Sequence, residues 1–79
     1  MRLSFDRTLY AGSAIDQALQ AFASVATSVR SETETAFVVE LSLRAEAAPA
    51  SAARRLRRIA LELGNHALGL TIERGGPDR

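Results

Sequence analysis

The sequence contains no cysteine and no lysine among its 79 residues, and both absences exclude classes of chemistry. Without cysteine there are no disulfides, zinc–thiolate sites or iron–sulfur ligands, and no thiol catalysis. All ten basic residues are arginine, so a Schiff-base lysine and a phosphate-loop lysine are excluded as well. No Gly-x-Ser-x-Gly or Gly-x-Gly-x-x-Gly motif occurs. We therefore expect a protein that is not an enzyme and uses no cofactor.

Long apolar runs and a strong net charge are also absent. No apolar run approaches the roughly 20 residues that span a bilayer, and the first residues lack the apolar core of a signal peptide. We expect a cytoplasmic protein. The formal net charge of +1 gives no global field that would attract nucleic acid or an anionic membrane. A chain of 79 residues is near the size at which one core gives only marginal stability, so pairing with a partner or a second copy would stabilise it.

The first part of the chain predicts a strand followed by a helix. Residues 2 to 7 alternate between apolar and polar side chains, which indicates a short strand with one buried face. Apolar residues then recur at helical spacing from Ala14 to about Ala26. Ser13 with Asp16 fits the start of this helix, because the serine oxygen can accept a hydrogen bond from an early backbone N–H.

Two strands are expected next. A short strand is plausible around residues 27 to 31, where helix propensity fades. The most regular strand pattern covers residues 35 to 44. Mostly apolar positions alternate there with positions that are partly polar, and β-branched and aromatic residues are enriched. This alternation favours an antiparallel sheet with one face covered by helices.

The second half of the chain predicts one long helix whose end is ambiguous. Pro49 suits the first turn of a helix that starts near Ser51. Gly64-Asn65 could end it, since glycine is preferred just after a helix C-terminus, and residues 68 to 74 would then form a fourth strand. Alternatively, the helix passes through Gly64 at a cost of about 1 kcal/mol and runs to about Ile72. The residues on its broad apolar side are Ala52, Leu56, Ile59, Ala60, Leu63 and Ala67.

Two related folds are consistent with this order of elements. With a terminal strand the order is β-α-β-β-α-β, the split βαβ of a ferredoxin-like fold. Without it, the domain is a three-stranded sheet under two helices. We expect an α+β two-layer sandwich and favour the four-stranded form. Residues 1 to 74 are expected to form a single small domain, and residues 75 to 79 a flexible C-terminal tail.

A cluster of four arginines is the first candidate binding surface: Arg54, Arg55, Arg57 and Arg58. Guanidinium groups bind carboxylates or phosphates through two parallel hydrogen bonds. The cluster is therefore either a surface for an anion or an acidic partner, or a solvated helix face. An alternative function is a small ferredoxin-like regulatory or nucleic-acid-binding domain that uses the Arg54–Arg58 face, although nucleic acid normally calls for a wider basic surface.

A second apolar stripe would exist only if the long helix continues. In that case Leu61, Gly64, Leu68 and Ile72 align on the side opposite the core, where the glycine would let another backbone approach closely. One small core cannot bury both sides of a helix, so the stripe would indicate a protein–protein interface with a second copy or a larger partner. If residues 68 to 72 form a strand, the stripe disappears.

His66 is the only histidine, and we expect it to be structural or part of a contact surface. Glu62 lies one turn before it, but two ligands do not make a metal site, because zinc usually takes three or four. A small enzyme that completes its active site across a dimer interface would have only His66, Asp6 and Glu40 to draw on.

Several segments together resemble a known family. Leu63-Gly64-Asn65-His66-Ala67-Leu68 resembles the C-terminal Leu-Leu-Asn-Asp-Tyr-x-Leu-Arg-Glu signature of the His-Xaa-Ser system protein D (HxsD) family. Phe5-Asp6-x-x-Leu9-Tyr10, followed by Ser13-Ala14-Ile15-x-x-Ala18, resembles its strand-to-helix pattern near the N-terminus. The strand Phe37-Val38-Val39-Glu40-Leu41 also has a counterpart there.

This resemblance implies a small accessory protein that acts with radical-SAM peptide-maturation enzymes on a ribosomally made precursor peptide. Such a protein would bind the peptide or the modifying enzyme, or present one to the other, without performing the chemistry. We expect a peptide or the modifying enzyme as the partner, and a homodimer is left open. The expected partner-binding residues are Arg54, Arg55, Arg58, Leu61, Asn65, His66 and Leu68.

Overall fold

A computed structural model describes residues 1 to 77, which form a small α+β domain with the element order β-α-β-β-α. Two helices, α1 (Gly12–Ala21) and α2 (Pro49–Glu73), accompany three strands in this part of the chain. The strands are β1 (Arg2–Asp6), β2 (Ala26–Glu32) and β3 (Ala36–Leu43). The short strand expected around residues 27 to 31 is thus confirmed as β2.

The strands form one antiparallel sheet in the order β1-β3-β2, so β3 is the central strand. Its alternation was predicted correctly: Phe37, Val39 and Leu41 are buried, whereas Glu40 and Ser42 are exposed. Successive side chains of a strand point to opposite faces, so the helices cover one face of the sheet and leave the other open. Both outer strands, β1 and β2, have one edge without a neighbouring strand.

The core lies between the covered face of the sheet and the inner sides of the helices. Its large, fully buried members include Ile15 of α1 and Leu63 of α2. Burying a side chain of this size contributes about 1.5–3 kcal/mol. The complete core cluster is Phe5, Ile15, Ala18, Phe37, Val39, Leu63 and Ala67.

The start of α1 differs from the prediction. The helix begins at Gly12, and the residue before it is Ala11, whose side chain cannot accept a capping hydrogen bond. The predicted cap, Ser13, lies inside the first turn, and its hydroxyl accepts a hydrogen bond from Arg74. Ser13 therefore connects the first turn of α1 to Arg74, the residue that follows α2.

The end of α1 also differs. The helix ends at Ala21 and does not reach Ala26. Ala26 is buried at the start of β2 and pairs with Leu43 of β3. Pairing along the whole of β2 therefore outweighs the local helix preference of this segment.

The favoured fourth strand is wrong, because residues 68 to 73 continue α2. The three-stranded alternative is the form observed. The helix passes through Gly64, and a Cβ added there would lie 4.0 Å from the Phe5 ring, an ordinary contact. Gly75 and Gly76, both at positive φ, donate their N–H groups to carbonyls of the last turn. Residues 78 and 79 of the expected tail lie outside the described residues.

Helix α2 gives the protein its elongated shape, with principal extents of 41 × 23 × 15 Å. A helix of 25 residues is about 37 Å long. Its fully buried side chains are Leu63, Ala67 and Thr71, all in the C-terminal half. Residues 49 to 62 are half-buried or exposed. Within residues 1 to 77, no helix combines the length and apolarity that crossing a membrane requires.

Candidate functional site

The arginine cluster of α2 is exposed to solvent. Each of its four side chains is exposed, and none forms an ion pair with a carboxylate within residues 1 to 77. A hydrogen bond links Arg54 to the hydroxyl of Ser51 at 3.5 Å, which is long. The guanidinium groups therefore keep their capacity to bind an external anion.

An open cavity of about 260 Å³ lies between the N-terminal half of α2 and the ends of β2 and β3. Its aliphatic surface comes from Val25, Leu43 and Ile59, one residue from each of three segments. Arg44 is held nearby, because its Nε donates a hydrogen bond to the carbonyl of Ala23. We call this cavity the arginine pocket; its lining is Ser24, Val25, Leu43, Arg44, Ala45, Arg55, Arg58 and Ile59.

Two arginines separate the arginine pocket from a second, polar depression on α2. Arg55 and Arg58 line both, and the depression is completed by Ser51 and Arg54. Guanidinium groups thus border an aliphatic surface on one side and a polar surface on the other. A ligand with an apolar group next to a carboxylate would satisfy both surfaces at once.

The second apolar stripe exists on the outer side of α2. The exposed fractions are 67% for Leu61, 39% for Leu68 and 68% for Ile72. Asn65 is also exposed, and its position in the helix places it on the same line. We call this surface the outer seam and define it by Leu61, Asn65, Leu68 and Ile72.

The outer seam does not include Gly64, contrary to the sequence analysis. Gly64 is half-buried, and a Cβ added to it would point towards Phe5, on the core side of the helix.

His66 is exposed and lies beside α1. Its ring meets the edge of Phe22, with 6.3 Å between the ring centroids. Among residues 1 to 77 there is no group of three or more potential metal ligands. The histidine thus makes a contact between helix α2 and the end of helix α1.

The other titratable residues considered for catalysis are engaged in separate contacts. Oδ1 of Asp6 accepts two hydrogen bonds from Thr8, one from the hydroxyl at 2.7 Å and one from the backbone N–H at 2.8 Å. These bonds lower the pKa of Asp6 and make it a weaker base. Glu40 forms an ion pair with Arg2 at 2.8 Å. The structure does not bring either carboxylate into a shared contact with His66.

Sequence reasoning identified Arg55 and Arg58 of the pocket but missed Arg44 and the aliphatic surface. Val25 directly precedes β2, Leu43 ends β3, and Ile59 had been assigned to the core side of α2. No local signal marks such a combination, because it depends on where the helix crosses the sheet. A scan of family models, a search of curated proteins and a search of solved structures each found no match to this chain.

Proposed function

We propose that the protein is a non-catalytic binding module that holds an acidic peptide through one apolar side chain and its neighbouring carboxylates. The observation that carries this proposal is the arginine pocket. Its aliphatic surface lies beside Arg55 and Arg58, which form no ion pair within residues 1 to 77. The apolar side chain would fill the cavity, and carboxylates beside it would accept paired hydrogen bonds from the guanidinium groups.

The free edge of β2 offers a way to hold the rest of the peptide. The N–H of Thr33 and the carbonyl of Val25 bond to β3, so the ladder alternation directs the backbone groups of Ser28 and Arg30 away from it. An extended peptide can add to such an edge as another strand. The start of β2 leads directly to Val25, so a peptide on this edge reaches the arginine pocket.

The biological setting of the proposal comes from the resemblance to the HxsD family. The peptide would be a segment of a ribosomally made precursor, and the protein would present it in the cytoplasm to a radical-SAM maturation enzyme. The fold in this proposal is a three-stranded variant of the ferredoxin-like fold. The β1-β3-β2 order supports that assignment, because a split βαβ unit places one antiparallel strand between its two parallel strands.

The direct test is a binding titration with a labelled acidic peptide that carries a single leucine. Arg55→Glu and Arg58→Glu should each weaken binding about tenfold or more, because a hydrogen bond to a charged group contributes about 1.5–3 kcal/mol. Arg57→Glu is the matched control, since Arg57 belongs to the same cluster but does not line the pocket. Replacing the peptide's leucine with serine should weaken binding as well.

Two outcomes would contradict this function. Equal weakening by Arg55→Glu and Arg57→Glu would mean that the cluster attracts the peptide only through its overall charge. Insensitivity to the leucine would mean that the cavity is not used. Retention of a labelled oligonucleotide that is lost on adding salt would instead favour the nucleic-acid-binding alternative.

A further inference from the structure

The outer seam has the residue spacing of a helix–helix contact. Its members are separated by four, three and four positions, which matches the average of about 3.5 residues between contact positions in paired helices. Extending the same spacing towards the N-terminus reaches Arg58 and then Arg54. The six positions Arg54, Arg58, Leu61, Asn65, Leu68 and Ile72 therefore form one line along α2.

This line faces away from the protein's own core. Leu61 and Ile72 are each exposed over about two thirds of their surface, and Leu63, Ala67 and Thr71 occupy the opposite, buried side. Three large aliphatic side chains on one helix line are an unfavourable surface to leave in water. A line with this spacing is a surface along which another helix can pack.

The charges of α2 identify the covering helix. Residues 49 to 60 contain four arginines and no acidic residue, whereas residues 61 to 73 contain Glu62 and Glu73 and no arginine. A second copy in parallel orientation would place Arg54 and Arg58 against the same residues of its neighbour. In antiparallel orientation, Arg54 of one copy lies close to Glu73 of the other, and the two helix dipoles also oppose each other favourably.

We infer that α2 pairs in antiparallel orientation with α2 of a second copy along the outer seam. The antiparallel arrangement that uses all six positions places Arg54 opposite Ile72, Arg58 opposite Leu68 and Leu61 opposite Asn65. The aliphatic stems of the arginines cover the apolar side chains of the other copy, and their guanidinium groups stay in water.

The inference rests on observations separate from those behind the peptide-binding proposal. Arg58 belongs to both the arginine pocket and the line along α2, so the pairing is tested at Leu61 and Ile72 and the pocket at Arg55. Arg44, Arg55 and the aliphatic surface of the arginine pocket lie off the line of the seam. Charge complementarity between the two halves of α2 carries the pairing, and the pocket carries the peptide. Failure of one experiment therefore leaves the other proposal to its own test.

Light scattering over a range of protein concentrations measures the pairing directly. The wild-type protein should show twice the 8.5 kDa mass of one chain. Leu61→Glu and Ile72→Glu should each raise the dimer dissociation constant at least tenfold, and circular dichroism should show that both variants remain folded, because these side chains are exposed. Val29→Glu is the matched control: Val29 is 71% exposed but lies on the sheet, so the dimer should persist.

The absence of cysteine makes the orientation testable by disulfide cross-linking. A mixture of Arg58→Cys and Leu68→Cys proteins should form a mixed disulfide dimer, because an antiparallel seam places these positions opposite each other. Leu68→Cys alone should not cross-link, since its two copies would lie far apart along the helix pair.

Three results would overturn the inference. A wild-type monomer at every concentration would mean that no second copy covers the seam. Dimers that survive both glutamate substitutions would place the interface elsewhere. Cross-linking of Leu68→Cys alone would show a parallel pair.

Discussion

The buried side chain of Thr71 connects α2 to the start of α1 through a hydrogen bond. Its Oγ1 accepts a hydrogen bond from the N–H of Ala11 at 3.1 Å and donates one to the carbonyl of Ala67 at 2.8 Å. Ala11 directly precedes α1, so a side chain near the end of α2 satisfies a backbone donor at the start of α1. A strand over residues 68 to 74 would lose this arrangement.

We expect Thr71→Val to lower the free energy of unfolding by about 1–3 kcal/mol, because it leaves the buried N–H of Ala11 without an acceptor. Thr71→Ser is the control: it keeps the hydroxyl and should cost only about 1 kcal/mol for the lost methyl group. Urea denaturation followed by circular dichroism measures both. A valine variant as stable as the wild type would show that the hydrogen bond contributes nothing.

Arg30 is a charged residue on the covered side of the sheet, and its contacts show how this position accommodates a charge. Its guanidinium lies 4.8 Å from the centroid of the Phe37 ring, and that of Arg7 lies at the same distance. Arg30 Nη1 donates to Glu32 at 3.0 Å. Its Nε lies 2.8 Å from Oδ1 of Asp16, an ion pair without the geometry of a hydrogen bond. The contact with Asp16 joins β2 to α1.

At the scale of elements, the two helices differ in how much space surrounds a glycine in each of them. A Cβ added at Gly12 of α1 would lie 2.8 Å from Nη2 of Arg30 and 3.1 Å from two ring carbons of Phe37. A Cβ added at Gly69 of α2 would have no atom within 4 Å. Helix α1 therefore requires a small residue where it meets the sheet, whereas α2 carries a glycine on an open side.

This contrast predicts opposite effects of the same substitution. Gly12→Ala should lower the free energy of unfolding by about 1–2 kcal/mol, because Phe37 is packed and cannot move freely. Gly69→Ala should raise it by about 0.5–1 kcal/mol, since alanine favours a helix over glycine. Thermal and urea unfolding of both variants measures the difference. Stabilisation by Gly12→Ala would contradict the close packing at this point.

Hydrophobic periodicity predicted the strands and the long helix but not all of their ends. The alternation of Phe37, Val39 and Leu41 reports one buried face, so β3 could be identified from the sequence. The end of α1 could not, because residues 22 to 26 are compatible with a helix and only pairing with β3 turns Ala26 into a strand residue. The end of α2 could not either, since Thr71 acquires its partner only in the folded protein.

At the scale of the whole molecule, stability is distributed unevenly along the longest axis. The central strand β3 pairs on both sides, and the C-terminal half of α2 contributes the buried Leu63, Ala67 and Thr71. The N-terminal half of α2 has no fully buried side chain. Regions with few buried apolar contacts open locally at a lower free energy than the core.

Amide hydrogen exchange of the Leu61→Glu variant, in which pairing of α2 is weakened, should therefore show a gradient within one helix. Residues 53 to 60 of α2 should exchange faster than residues 64 to 71, and the middle of β3 should be among the slowest segments. Mass spectrometry of peptides after timed exchange resolves these segments. Uniform protection along α2 in this variant would contradict the gradient.

The sequence by itself determined the α+β composition, the presence of strand β3 and helix α2, and the arginine cluster. Each of these depends on the spacing of residues within one segment. Tertiary structure alone decided where α1 ends, that α2 continues through Gly64, and that Val25, Leu43 and Ile59 meet beside Arg55. Those features depend on contacts between segments far apart in the chain. Local propensity is too weak to specify such contacts, whereas strand pairing and the burial of a shared core fix them.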